Sequence, residues 1–107
     1  MAANIAATAE SPLSPVHPGE ILSEEFLKPL ELAPYTAAKL MKVPRTRIER
    51  LARCEGPVTP DTALRLERLF GASAQFWMNL QTRYDLLTTA AAERAELDAI
   101  KPLDTAA

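Results

Sequence analysis

Apolar positions recur along this chain every three or four residues, the helical period, and no stretch alternates apolar and polar as a half-buried strand would. Ile21, Leu22 and Phe26 form the first stripe. Its helix starts at His17-Pro18-Gly19-Glu20, where Pro18 suits the first helical position and Glu20 meets the positive end of the helix dipole. Pro29 ends it near Lys28. Leu30 and Leu32 lead into a second helix opened by Pro34, and Pro44 opens a third after a tight turn. Gly56-Pro57 closes that unit. A fourth helix has Thr59 as N-cap, Pro60 in its first turn, Asp61 near the dipole and Gly71 as its stop, with Ala63, Leu66 and Phe70 facing inward. Ser73 caps a fifth, whose stripe is Phe76, Trp77, Leu80, Tyr84 and Leu87. The pattern predicts an all-α, five-helix domain over residues 17–87. It adds a mobile arm over 1–16, with Pro12, Pro15 and few large apolar groups, and a helical extension over 88–107. Within that extension the alanine-rich residues 88–100 continue as helix toward Pro102, with Leu97 and Ile100 as the only large anchors.

The second and third helices, over residues 34–53, carry the most information. Ala38 is small where two helices would cross closely, and Val43, Ile48 and Leu51 are spaced to pack one face inward. Arg45, Thr46, Glu49, Arg50 and Arg53 then fall on the opposite face. This is the layout of a helix-turn-helix, in which the second helix enters the major groove of DNA. Arg45 and Arg50 can offer paired donors to guanine, Thr46 and Glu49 suit thymine or cytosine, and Arg47 and Arg53 flank the face where phosphates run.

Charge changes the picture in distribution rather than in total. Twelve Lys and Arg stand against fourteen Asp and Glu, which argues against a general polyanion binder. Residues 39–53, however, hold Lys39, Lys42, Arg45, Arg47, Arg50 and Arg53 against Glu49 alone, a net +5, which leaves −7 for the remainder. A basic face on an acidic body docks on DNA in one orientation.

Other chemistry is excluded more than indicated. No apolar stretch approaches the ~20 residues of a membrane span. Residues 1–14 lack the basic residues of a targeting arm, so a cytoplasmic protein is expected. A lone Cys54 rules out an internal disulfide, and it has no histidine nearby to make it a nucleophile; its place beside the arginine face leaves redox sensing as an alternative. His17 lacks neighbouring ligands and reads as a helix cap, and Glu24-Glu25 as a solvated pair. There is no catalytic constellation, so neither an enzyme nor a cofactor is expected.

Five short helices with the helix-turn-helix second and third resemble the phage-repressor-like (xenobiotic-response-element) DNA-binding domain. The sequence runs His17-Pro-Gly-Glu-Ile-Leu22, Glu25-Phe-Leu-Lys-Pro-Leu30, Val43-Pro-Arg-Thr-Arg-Ile48, Thr62-Ala-Leu-Arg-Leu66 and Phe76-Trp-Met-Asn-Leu-Gln81 through Tyr84-Asp-Leu86 are similar to antitoxins of the HigA type. The resemblance covers roughly residues 17–87. It implies a dimeric transcriptional autorepressor that binds operator DNA and silences a HigB-type ribonuclease toxin, which cleaves mRNA at the ribosome.

Two positions depart from that pattern. The turn of such a motif usually carries glycine because it needs a positive φ, and Lys42 stands there instead, placed to reach a phosphate. After the reading helix the family often has Asn-Gly, and this chain has Arg53-Cys54. The fifth stripe is broader than one small core should need, which predicts a homodimer contact over Trp77, Leu80, Tyr84 and Leu87. Two other readings remain open at this point: a solitary regulator of the same fold without a toxin, and a protein-interaction module whose basic helix takes an acidic partner.

Overall fold

A computed structural model of the chain describes residues 15–104, so the expected arm over 1–16 lies outside the described residues except for Pro15 and Val16. All regular elements among them are helices. Helix α1 (Pro18–Ile21) runs directly into π-helical turns over Leu22–Leu27; α2 (Pro34–Met41), α3 (Arg45–Ala52), α4 (Pro60–Phe70), α5 (Ala74–Ala92) and α6 (Arg94–Asp98) follow.

The local signals act as read. His17 caps α1 through its imidazole, whose Nδ1 accepts from the Gly19 amide at 2.9 Å. Thr59 Oγ1 accepts from the Thr62 amide at the start of α4, and Ser73 Oγ from the Phe76 amide at the start of α5. Gly71 ends α4 at φ 94°, a conformation open to glycine. The first helix differs from expectation in its winding. In an α-helix Leu22 and Leu27 would sit about 140° apart. The π-helical turns, closed by bonds such as Lys28 N to Ser23 O at 3.0 Å, bring both leucines inward, and both are buried.

The core gathers Leu22, Ile48, Leu51, Leu66 and Trp77, all essentially inaccessible, around the small residues Ala37, Ala38 and Ala63. Phe26 bridges it to α4 and α5, with ring centroids 5.1 Å from Phe70 and 5.2 Å from Trp77. Gly19 is the closest approach: a Cβ there would lie 1.8 Å from the Leu51 carbonyl oxygen, so α1 rests directly on the backbone of α3. Ser23 Oγ adds a bond to the Ala52 carbonyl at 3.0 Å.

Two expectations need correction. Helix α5 does not run on to Pro102; it breaks at Glu93 (φ −112°, ψ 22°) and resumes only as the five-residue α6. Past Thr88 every described residue is exposed, so no packing holds a longer helix together. Trp77 is fully buried and therefore not a surface contact, Leu80 packs on the core, and Tyr84 sets its ring edge-on to His17 at 4.7 Å. The breadth of the α5 stripe is largely consumed inside the monomer.

His17 gives stability a pH dependence of defined sign. Burial lowers its pKa below 6.5, against an opposing pull from Asp85, and its Nδ1 must stay unprotonated to accept from Gly19. The unfolded chain takes up the proton first, so the contribution is complete above pH about 6.5 and declines as pH falls from there toward the lower folded pKa. Urea unfolding at pH 7.5 and pH 5 should show this loss in the wild type and a smaller one in His17→Ala.

Candidate nucleic-acid interface

Helix α3 presents the surface that the arginine spacing suggested. Ile48 and Leu51 are buried, while Arg45, Thr46, Arg50 and Arg53 are exposed and Glu49 is half-buried. At about 100° per residue, positions 45, 46, 49, 50 and 53 span an arc of about 140°. Arg47 lies outside that arc, on the flank toward α4.

Lys42 adopts φ 62°, ψ 44° at the end of α2 and is exposed. Its amide bonds back to Lys39 O, and the Val43 amide to Ala38 O, both at 3.1 Å, which turns the chain sharply into α3. Arg65 of α4 secures the turn from outside: its Nη1 donates to the Met41 carbonyl at 2.8 Å. After α3 a second left-handed residue, Cys54 (φ 63°), reverses the chain, and Glu55 N returns to Arg50 O at 2.8 Å. The two positions that depart from the family's usual glycine pattern thus hold the left-handed backbone geometry themselves. The exposed Cys54 thiol has its pKa raised by burial of its surroundings and by Glu20, so it is not activated as a nucleophile.

The arginines are less free than a residue count suggests. Arg45 donates to Glu49 Oε2 from Nε at 3.0 Å and Nη2 at 2.8 Å, with its guanidinium 5.1 Å over the Tyr35 ring. Arg47 pairs with Asp61 of α4, which also accepts from Arg65 Nε at 3.1 Å. These two arginines hold the Asp61 carboxyl below its usual range. Arg53 pairs with Glu55 at 3.2 Å, and Arg50 donates to the Glu55 carbonyl at 3.2 Å. These are exposed, exchangeable contacts worth little each, but they pre-orient the side chains.

Sequence reasoning missed two supports of this surface. Gln81, buried on α5, accepts from the Val58 amide at 2.7 Å and donates to Asp85 at 2.9 Å, fixing the segment between α3 and α4. Arg65 closes the α2 end. Gln81 follows Trp77 by four residues and precedes Tyr84 by three, so helical spacing puts it on the apolar stripe of α5, a signal of burial that its polar side chain masked, and Arg65 reads as an ordinary surface arginine; only the fold brings either to its partner. Among the described residues no cluster of His, Cys, Asp or Glu could hold a metal, and no helix is long and apolar enough to cross a membrane.

Fold and surface together define a helix-turn-helix protein of the phage-repressor-like class. No family model matches the chain. It is 47% identical over 90 residues to Virulence-associated protein I of Dichelobacter nodosus, spanning 84% of this chain and 82% of that protein. It is 34% identical over 89 residues to Antitoxin HigA-1 of Vibrio cholerae, spanning 83% and 84%. The Pseudomonas aeruginosa antitoxin HigA, solved with the higBA promoter, matches at TM-score 0.82 and 42% identity over 84% of this chain and 99% of that one. The chain belongs to the HigA antitoxin family.

The strain at Lys42 is testable. Lys42→Gly should raise stability by about 0.5–1 kcal/mol, the relief of a left-handed non-glycine residue less the extra freedom of glycine in the unfolded chain. Thermal melts measure it; a lower melting temperature would mean that the lysine side chain itself contributes to the turn.

Proposed function

We propose that this protein is the antitoxin of a toxin–antitoxin pair and represses its own promoter, with α3 as the reading helix. The observation that carries the reading is the exposed arc of Arg45, Thr46, Glu49 and Arg50 on a helix anchored by Ile48 and Leu51. In free protein Glu49 holds Arg45 extended along α3; in the major groove Arg45 and Arg50 exchange these partners for guanine O6 and N7, and Thr46 and Glu49 face thymine or cytosine. Arg47, Arg53 and Lys42 contact phosphates, which makes affinity salt-dependent. A single reading helix makes few base contacts, so specificity calls for a two-fold dimer on half-sites about one helical turn apart. Beyond the residues α5 packs on the core, Phe76 and Leu86 (39% and 66% exposed) and the half-buried Leu87 are large apolar groups left for that contact. The protein acts by binding in the cytoplasm and performs no catalysis.

Arg45→Ala or Arg50→Ala should weaken operator binding by about 1–3 kcal/mol per half-site while affecting non-specific DNA much less. Arg47→Ala should weaken all sequences alike and reduce the salt slope by about one. Gel shifts over a salt series separate the two classes. Unchanged operator affinity in the Arg45/Arg50 double variant, with circular dichroism intact, would remove α3 as the reader.

The acidic body outside residues 39–53 favours encounter with a basic toxin. Co-expression with the product of the adjacent gene should give a stable complex and relieve its toxicity. If that product is harmless alone or does not co-purify, the protein is a solitary regulator; the repressor reading stands unaffected.

A further inference from the structure

Tyr35 is a large aromatic side chain that the core does not use. It stands in the first turn of α2 with 47% of its surface exposed, and α2 is seated on the core by Ala37, Ala38 and Met41 instead. Its hydroxyl meets no hydrogen-bond partner among the described residues. What its ring does meet is the guanidinium of Arg45, whose Cζ lies 5.1 Å from the ring centroid. A residue of the first helix of the motif thus touches the leading arginine of the second.

Arg45 needs such a support. It is the first residue of α3, its side chain is 66% exposed, and a long side chain has many rotamers to lose when it docks. Glu49 restrains it along one edge, where Nε and Nη2 both donate to Glu49 Oε2 at 3.0 and 2.8 Å. The Tyr35 contact differs in kind. A ring face attracts a cation electrostatically and does not require one of its N–H donors to find a lone pair. The ring can therefore keep hold of Arg45 when its donors leave Glu49 for guanine. It also comes from α2, so the direction of Arg45 is fixed against the other helix and not by α3 alone. Arg50, which donates to the Glu55 carbonyl, has no such ring beside it among the described residues.

We propose that Tyr35 is a positioning residue for base readout: its ring holds the Arg45 guanidinium on the approach to guanine, so selectivity at that base pair depends on a side chain that itself touches no base. The proposal rests on α3 as the reading helix. It makes α2 a second determinant of sequence preference, acting through Arg45 and leaving the bases met by Arg50 untouched. Rotamer freedom that Arg45 would lose on binding is already lost in the free protein, which raises affinity for the matched base without any new contact to DNA.

Gel shifts of the full chain test this, using a duplex of its own promoter, a set with each base pair changed in turn, and a scrambled duplex. Tyr35→Leu keeps apolar bulk but removes the ring. It should weaken the promoter complex about two- to fivefold per half-site, the worth of an exposed cation–ring contact. It should relax selectivity at the base pairs that Arg45→Ala relaxes, and leave those sensitive to Arg50→Ala and the scrambled duplex unchanged. Tyr35→Phe retains the ring and should bind as wild type. Adding Tyr35→Leu to Arg45→Ala should cost nothing further, since the two act as one unit. Melting temperatures should stay as in wild type, because the side chain lies outside the core. A further loss in the double variant would mean that the ring meets DNA directly, and a Phe variant as weak as Leu would put the hydroxyl on a phosphate; either overturns the proposal. Wild-type binding by Tyr35→Leu alongside an impaired Arg45→Ala overturns it alone and spares the reading of α3. Unimpaired binding by Arg45→Ala removes Arg45 as a reader, and the proposal with it.

Discussion

The position of α3 depends on a contact that a single methyl group would forbid. Gly19 lets α1 lie against the Leu51 carbonyl, and Ser23 binds the next carbonyl along, so the end of α3 is fixed by backbone contact rather than by interlocking side chains. Ala37 and Ala38 allow α2 a similarly close crossing on the other side. Between these small residues Ile48 and Leu51 are fully enclosed, and the rest of α3 is turned outward as a consequence. A rigid helix with one face committed to the core and the other to solvent is what a groove-reading element requires.

Left-handed residues at both ends of α3 complete this arrangement. Lys42 and Cys54 each take a positive φ without being glycine, a strain of order 1–3 kcal/mol apiece that persists because the neighbouring structure over-determines it. At Lys42 the over-determination is visible: the backbone bonds to Ala38 and Lys39 and the Arg65 bond to Met41 leave the turn no other course. Lysine there also places a cation beside the start of α3 where glycine would leave none.

Electrostatically the arginines of α3 are partly neutralised by neighbouring acids. Arg45, Arg47 and Arg53 each rest on a carboxylate, which restrains them and lowers the local positive charge of the free protein. The acids concerned, Glu49, Asp61 and Glu55, come from α3, α4 and the loop between them, so the field over α3 is set by three segments together. Charge counted along residues 39–53 misses Asp61 and Glu55 and overstates it.

What the sequence by itself determined was local. Caps at His17, Thr59 and Ser73, stops at Gly56-Pro57 and Gly71, the inward pair Ile48 and Leu51, and the arginine arc all follow from rules that act within a few residues of one another. The motifs likewise identified the HigA family correctly. Tertiary structure decided what depends on distant partners: the π-helical winding that buries Leu27, the burial of Gln81 under Val58, the Arg65 bond that closes the turn, and the removal of Trp77 from any surface. The same holds for the break at Glu93. Helical spacing and alanine favour continuation there, but past Thr88 every described residue is exposed, so no packing on the core holds one continuous helix together.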